Sequence, residues 1–188
     1  IYGNLSVGKD SIAKYSITSP YAQDKLTLEN YAKMCHEIFK ISSVGLRLFN
    51  VYGPGQQLYR IIPRTILYAR LGKKLHLDGG GTSDRSFIHM DDVSEATYLI
   101  AMKGELGETY HISTQETITI VDLVKKICDY IDIDFSDLVN ISDERLGKDQ
   151  SYRLESKKMR KQFEWKEKID INEGIKLTVD WVDQNIDM

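Results

Sequence analysis

The chain has 188 residues, 41% of them hydrophobic, which is enough apolar content for one good core or one core with a small satellite. Its 28 acidic and 25 basic residues leave a formal net charge of −3, which gives no electrostatic encouragement for binding nucleic acid or an anionic membrane. No apolar run is long enough to span a bilayer and no signal-peptide pattern is present, so the expectation is a cytoplasmic protein without nucleic-acid or membrane partners.

The sequence opens "IYGNLSVGKD", without methionine. An apolar, β-like start running into Gly3 and Asn4 reads as the end of a strand, and the chain is expected to be the C-terminal portion of a longer protein. Next, "YAQDKLTLENYAKMCHEIFK" carries Leu28, Tyr31, Ala32, Cys35, Ile38 and Phe39 at helical spacing, which predicts a long helix closing near Ser42 and Ser43. "VGLRLFNVYGPG" reads as a buried strand stopped by a turn at Gly53, Pro54 and Gly55. "PRTILYARLG" predicts a short helix with Pro63 at its start and Gly72 at its end. "KLHLDGGGTSDRSFIHM" predicts two short strands around a glycine-rich turn, and Asp91 is the expected cap of the helix in "DVSEATYLIAMKG".

"GETYHIS" is a further strand. Thr119 is the expected cap of "IVDLVKKICDYI", with Ile120, Leu123, Val124, Ile127 and Ile131 on one face. A charged stretch, "SDERLGKDQS", precedes a short strand at 152–154, and two helices, "SKKMRKQF" and "INEGIKLTVDWVDQN", close the chain. Alternation of strands and helices argues for an α/β protein with a largely parallel sheet. Cys35 and Cys128 both sit at apolar-periodic helical positions and read as reduced, structural thiols.

Among candidate chemistries, metal binding has little support, because His36, His76, His89 and His111 are scattered and form no ligand pair at zinc spacing. There is no G-x-S-x-G turn for a serine hydrolase, and the glycines at 79–81 lack the lysine and helix of a P-loop. The stretch "SPYAQDK" places Tyr21 and Lys25 one helical turn apart after a proline. That spacing fits an ordinary helix start. It also fits chemistry, since a phenol is a poor base near neutrality and a neighbouring ammonium favours its ionised form. Beyond the strand "VGLRLF", whose carboxyl end is where open α/β sheets hold ligands, lie Arg85 and Arg145. Either could bind phosphate in bidentate fashion or form a surface salt bridge.

Taken in order, "SPYAQDK", "LRLFNVYGPGQ", "DRSFIHMDDVSEA", "GETYHIS", "DERLGKDQSY" and "FEWKEKIDINEGIKLTVDW" resemble the C-terminal half or more of an extended short-chain dehydrogenase/reductase acting on nucleotide sugars. The similarity is greatest to dTDP-glucose 4,6-dehydratases and covers nearly the whole chain. It implies the C-terminal part of a Rossmann-like, NAD-binding parallel sheet (residues 1–50 and 87–115) and a small α/β substrate domain (residues 51–86 and 116–188). It also implies a nucleotide-diphosphate sugar as substrate, NAD as cofactor, and a homodimer paired through helices that include Tyr21 to Phe39.

Carried over by position, Tyr21 would take the proton of the sugar 4-hydroxyl as hydride passes from C4 to NAD. Lys25 would hold the nicotinamide ribose and favour the phenolate, and Phe49 would lie beside the nicotinamide. Asn50 and Arg85 would contact the diphosphate, and Arg145 would do the same or reach the ribose. Arg60 and Ile61 match a pair, usually Lys-Leu, in the nucleotide pocket, and His76, Leu77 and Asp78 match a segment packed against the base. The departures fall at nucleotide-side positions: His111 for Asn, Asp78 for Tyr, Ser86 for Asp, and Leu146 and Lys148 for Pro and His. They leave the base open.

The family's glycine-rich cofactor motif and its catalytic Ser/Thr, joined in dehydratases by an Asp-Glu pair, would precede Ile1. The piece alone is therefore expected to bind NAD poorly and to be inactive. The resemblance favours a 4,6-dehydratase, which eliminates water across C5 and C6 after the oxidation. A 4-epimerase, a decarboxylase of the same superfamily, or a non-catalytic nucleotide-sugar-binding module are the alternatives.

Overall fold

The computed structural model describes residues 6–7, 20–143 and 153–186. After β1 (Ser6–Val7), helix α1 (Pro20–Phe39) opens on a proline, whose missing N–H costs nothing in a first turn. It stops short of the expected Ser42 because Lys40 enters the left-handed region at φ 58°. β2 (Gly45–Leu48) and β3 (Asn50–Tyr52) form one extended run broken only at Phe49. α2 (Ile61–Arg70) begins ahead of Pro63, which still falls within the first turn, where N–H groups have no intrahelical acceptor.

β4 (Leu75–Asp78) leads through a tight 3-10 turn at Gly79–Gly81 into β5 (Asp84–Arg85) and β6 (Phe87–His89), so the segment read as two strands makes three. α3 (Met90–Lys103) is capped by His89 and not by Asp91. The His89 imidazole Nδ1 accepts the Asp91 N–H at 3.3 Å, doing the work expected of a carboxylate. β7 (Thr109–Ile112) and β8 (Ile118–Thr119) precede α4 (Ile120–Ile131), which Thr119 caps as expected. The one-turn α5 (Phe135–Leu138) and β9 (Val139–Ser142), neither foreseen in the sequence, come next. β10 (Arg153–Leu154), α6 (Lys157–Phe163) and α7 (Ile171–Asn185) complete the described chain. The predicted strand start at Tyr152 and the strand end read at residues 1–4 lie outside the described residues.

β2 pairs in parallel with β7, β3 with β6, β4 with β9 and β1 with β10, while β5 and β8 are antiparallel. This is the α/β, mainly parallel arrangement that the alternating pattern implies. The β2–β3 run changes partner at Phe49, whose N–H donates to the Ile112 carbonyl at 3.3 Å. Gly45 sits opposite Thr109 at one end and Tyr52 opposite His89 at the other.

Three apolar clusters hold these elements. Tyr52, Ile62, Ile66, Leu123, Ile127 and Ile175 bring α2, α4 and α7 against β3. Ile88, Ala96, Ile100, Tyr110, Ile112 and Met159 bury α3 and α6 against β6 and β7. Leu75, Leu77, Val124, Cys128 and Val139 join the β4–β9 pair to α4. α1 is different: Ala22 is its only buried residue, and Leu28, Tyr31, Ile38 and Phe39 are each about 60–65% exposed. No helix among the described residues is long and apolar enough to cross a membrane.

Candidate active site

The carboxyl ends of β2 and β3, the Gly53–Gln57 turn and the first residues of α2 enclose a cleft of about 790 Å³, with Tyr21, Arg85, Phe87 and Met90 on its remaining sides. Its shape follows from local chemistry. Gly53, at φ 146°, swings the chain away from the sheet, and a Cβ there would meet His89 Nε2 and Met90 Cγ, both at 3.0 Å. Gln56 then staples the turn back on the strand, its Nε2 donating to the Val51 carbonyl at 2.6 Å.

Tyr21 lies in the first turn of α1 with its side chain 69% exposed, and it borders the cleft. Lys25 stands one turn further on, its Nζ 5.3 Å from the Tyr21 ring centre, and does not itself line the cleft. Phe49 is a buried wall residue, and Asn50 donates from Nδ2 to the Ser86 carbonyl at 2.9 Å, fixing β3 against the β5–β6 connection. Arg60 occupies the N-cap position of α2 with its guanidinium 5.3 Å from the Tyr59 ring, and Ile61 follows it into the wall. Arg85 donates from Nη1 to the Asp84 carbonyl at 2.7 Å. The described residues that line this cleft include two arginines and no carboxylate.

Tyr52 also borders the cleft, yet it is a different phenol. Burial first, and then the carboxylates of Asp170, Asp92 and Glu173, push its pKa well above the tyrosine range, so it stays protonated. Two further phenols on the cleft, Tyr21 and Tyr59, are exposed, and Tyr21 is the one with a lysine ammonium beside its ring.

Thus Tyr21, Phe49, Asn50, Arg60, Ile61 and Arg85 come together around one cavity, from positions spread over several elements. His76, Leu77 and Asp78 do not line it. Strand alternation sends Leu75 and Leu77 into the core and leaves His76 exposed, while Asp78 accepts a bond from the Ser142 hydroxyl at 3.1 Å. His111 lies on β7 opposite Arg47, its Nδ1–H directed to the Glu155 carbonyl at 3.3 Å. Burial, reinforced by the charges of Arg47 and Lys158, lowers its pKa from 6.5 to about 4. Arg145, with Leu146 and Lys148, lies outside the described residues. The sequence reading missed Gln56, Gln57, Tyr59, Met90 and Ile120 as lining residues. A signal existed for the first three, as amide and aromatic side chains directly after a Gly-Pro-Gly turn at a strand end. Met90 and Ile120 carry no such signal.

Among the described residues no group of three His, Cys, Asp or Glu side chains could hold a metal ion. Parallel strands, crossover helices and a cationic cleft at strand carboxyl ends define a Rossmann-like α/β protein. The family described as GDP-mannose 4,6 dehydratase matches residues 1–178. The dTDP-D-glucose 4,6-dehydratase of Mus musculus is 32% identical over 188 residues, which cover 97% of this chain and 53% of that protein. A trifunctional UDP-glucose 4,6-dehydratase/3,5-epimerase/reductase of Arabidopsis thaliana is 33% identical over 98% of this chain and 28% of its own length. Among solved structures, a dTDP-glucose 4,6-dehydratase from Streptomyces venezuelae with NAD bound matches at a TM-score of 0.91 and 28% identity, covering 98% of this chain and 57% of that one. A UDP-glucuronic acid 4-epimerase from Bacillus cereus, at a TM-score of 0.89 and 24% identity, shares the fold. The chain belongs to the GDP-mannose 4,6-dehydratase family, within the extended short-chain dehydrogenase/reductases that dehydrate or epimerise nucleotide sugars. It spans about half the length of its mammalian relatives and less of the plant ones.

Proposed function

We propose that the protein carrying this chain is an NAD-dependent nucleotide-sugar 4,6-dehydratase. The observation that supports it most is the cleft itself, with two guanidinium groups, no carboxylate among the described lining residues, and at its rim a tyrosine whose ring has a lysine ammonium beside it. The sugar-nucleotide diphosphate is held by Arg85, whose planar fork suits phosphate oxygens, and Arg60 lines the nucleotide side of the same cleft. Asn50, fixed by its bond to the Ser86 carbonyl, orients the sugar beside them. Tyr21, as the phenolate, takes the proton of the 4-hydroxyl, and the Lys25 ammonium stabilises that phenolate beforehand.

The residues fit NAD at one end. A phenol and an ammonium one turn apart match the hydroxyls of a nicotinamide ribose, and Phe49 offers an apolar wall next to them. When bound, NAD supplies the acceptor for the C4 hydride. The S. venezuelae dehydratase, solved with NAD, and the dehydratase names of the mouse and plant relatives support this reading. Residues 1–50 and 87–115 then form part of the cofactor domain, and residues 51–86 and 116–188 the substrate domain. A homodimer through the outer face of α1 accords with the exposure of Tyr31, Ile38 and Phe39, and a cytoplasmic location accords with two free thiols.

The test is to supply the protein with NAD and a panel of dTDP-, UDP-, CDP- and GDP-hexoses. A 4-keto-6-deoxy product is expected from one of them. A C4 epimer as sole product makes it an epimerase, and binding without turnover makes it a binding module. Tyr21→Phe is expected to abolish turnover while nucleotide affinity stays within about twofold; near-normal turnover removes Tyr21 from the mechanism.

A further inference from the structure

α1 presents Tyr21, Lys25 and Glu29 at successive i, i+4 positions, so the three side chains lie along one stripe of the helix. Glu29 ends that stripe in a two-pronged ion pair with Arg47 of β2. Arg47 Nε donates to Glu29 Oε1 at 2.9 Å, and Arg47 Nη2 donates to Oε2. Both groups are largely withdrawn from water, which raises the Glu29 pKa and lowers that of Arg47. Apolar packing does little to fix the rotation of α1 among the described residues, since Ala22 is its only buried side chain.

We propose that the Glu29–Arg47 pair is a positioning clamp, which sets the rotation of α1 on the sheet and so aims Tyr21 at the cleft and holds Lys25 beside it. The inference rests on the reading of Tyr21 and Lys25 given above. At a rise of about 1.5 Å per residue the clamp stands roughly 6 Å from Lys25 and 12 Å from Tyr21 along the axis. Side chains extend about 5–6 Å from a helix axis, so a 10° rotation moves a tip by about 1 Å. Misplacement of that size in a reacting group costs on the order of 10²-fold in rate. The fork matters more than the charge. A guanidinium bound through two nitrogens resists rotation about the pair, whereas an ammonium held by one contact pivots.

Arg47→Lys keeps the charge, and Glu29→Gln keeps the shape; both are made in the protein carrying this chain, with Tyr21→Phe in parallel. The clamp predicts that both variants melt within a few degrees of the parent and keep KM for the nucleotide sugar within about twofold. It predicts kcat reduced by roughly 10- to 100-fold, and weaker NADH binding by fluorescence titration, since Lys25 is displaced. The double variant should be no slower than the slower single, because one contact is lost in all three. Parental kcat and NADH affinity in Arg47→Lys, or a rise in KM with kcat retained, overturns the clamp while leaving the assignment of Tyr21 standing. Retained turnover in Tyr21→Phe overturns that assignment and the clamp with it.

Discussion

His111 illustrates how far one side chain can depart from what its position suggests. It faces Arg47 across the β2–β7 pair and is held neutral by burial and by the neighbouring positive charges, with a pKa lowered to about 4. In the unfolded chain the same imidazole titrates near 6.5. Between those values the unfolded state binds a proton that the native state refuses, so stability falls as pH drops from about 6.5 toward 4 and is intact above that window. The full difference is on the order of 3 kcal/mol. Urea unfolding at pH 7 and pH 4.5 should show a larger acid loss in the parent than in His111→Asn; equal losses would place the sensitivity elsewhere. At the same scale, a Cβ on Gly174 would fall on the Tyr52 hydroxyl, where α7 meets β3. Gly174→Ala is expected to cost about 1–3 kcal/mol through overpacking, read from the denaturation midpoint.

Elements differ in how much their own residues decide. α4 is legible in full: Thr119 accepts the Asp122 N–H at 3.1 Å, and Leu123, Val124 and Ile127 go to the core as their spacing predicts. Thr119→Ala should remove about 1 kcal/mol of stability, and Leu123→Ala 2–5 kcal/mol, roughly the cost of a core cavity. The start of α3 reads less well. Asp91 is the better capping type by local preference, yet it is exposed, and His89 takes the role because the β6 backbone places its imidazole over the first turn. β4 and β9 are short, and only their mutual parallel pairing makes the second a strand at all.

At the scale of the molecule, the apolar side of α1 stands apart from the three buried clusters. Leu28, Tyr31, Ile38 and Phe39 recur at helical spacing, less sharply than the apolar face of α4, and they face outward. If the proposed homodimer uses this face, Tyr31→Glu should shift the protein toward a monomer in concentration-dependent sedimentation without changing its far-UV circular dichroism. An unchanged association would move the dimer contact to another surface. The site also belongs to this scale, since the residues around the cleft arrive from α1, the β2–β3 run, α2 and β5.

By itself the sequence determined the α/β alternation, most helices, and the pairing of Tyr21 with Lys25, because these depend on residues within a few positions of one another. The family resemblance added Asn50, Arg60, Ile61, His76, Leu77, Asp78, Arg85, His111 and Arg145. Of these, Asn50, Arg60, Ile61 and Arg85 line a single cleft, His76, Leu77, Asp78 and His111 do not, and Arg145 lies outside the described residues. Only the tertiary structure decided which strands pair and that Leu77 turns inward while His76 and Asp78 are not among the residues lining the cleft. It also decided that Glu29 is bound to Arg47. Those outcomes rest on contacts between distant segments, where burial and charge pairing outweigh local preference. Periodicity fixes which residues share a face, but only packing decides what that face meets.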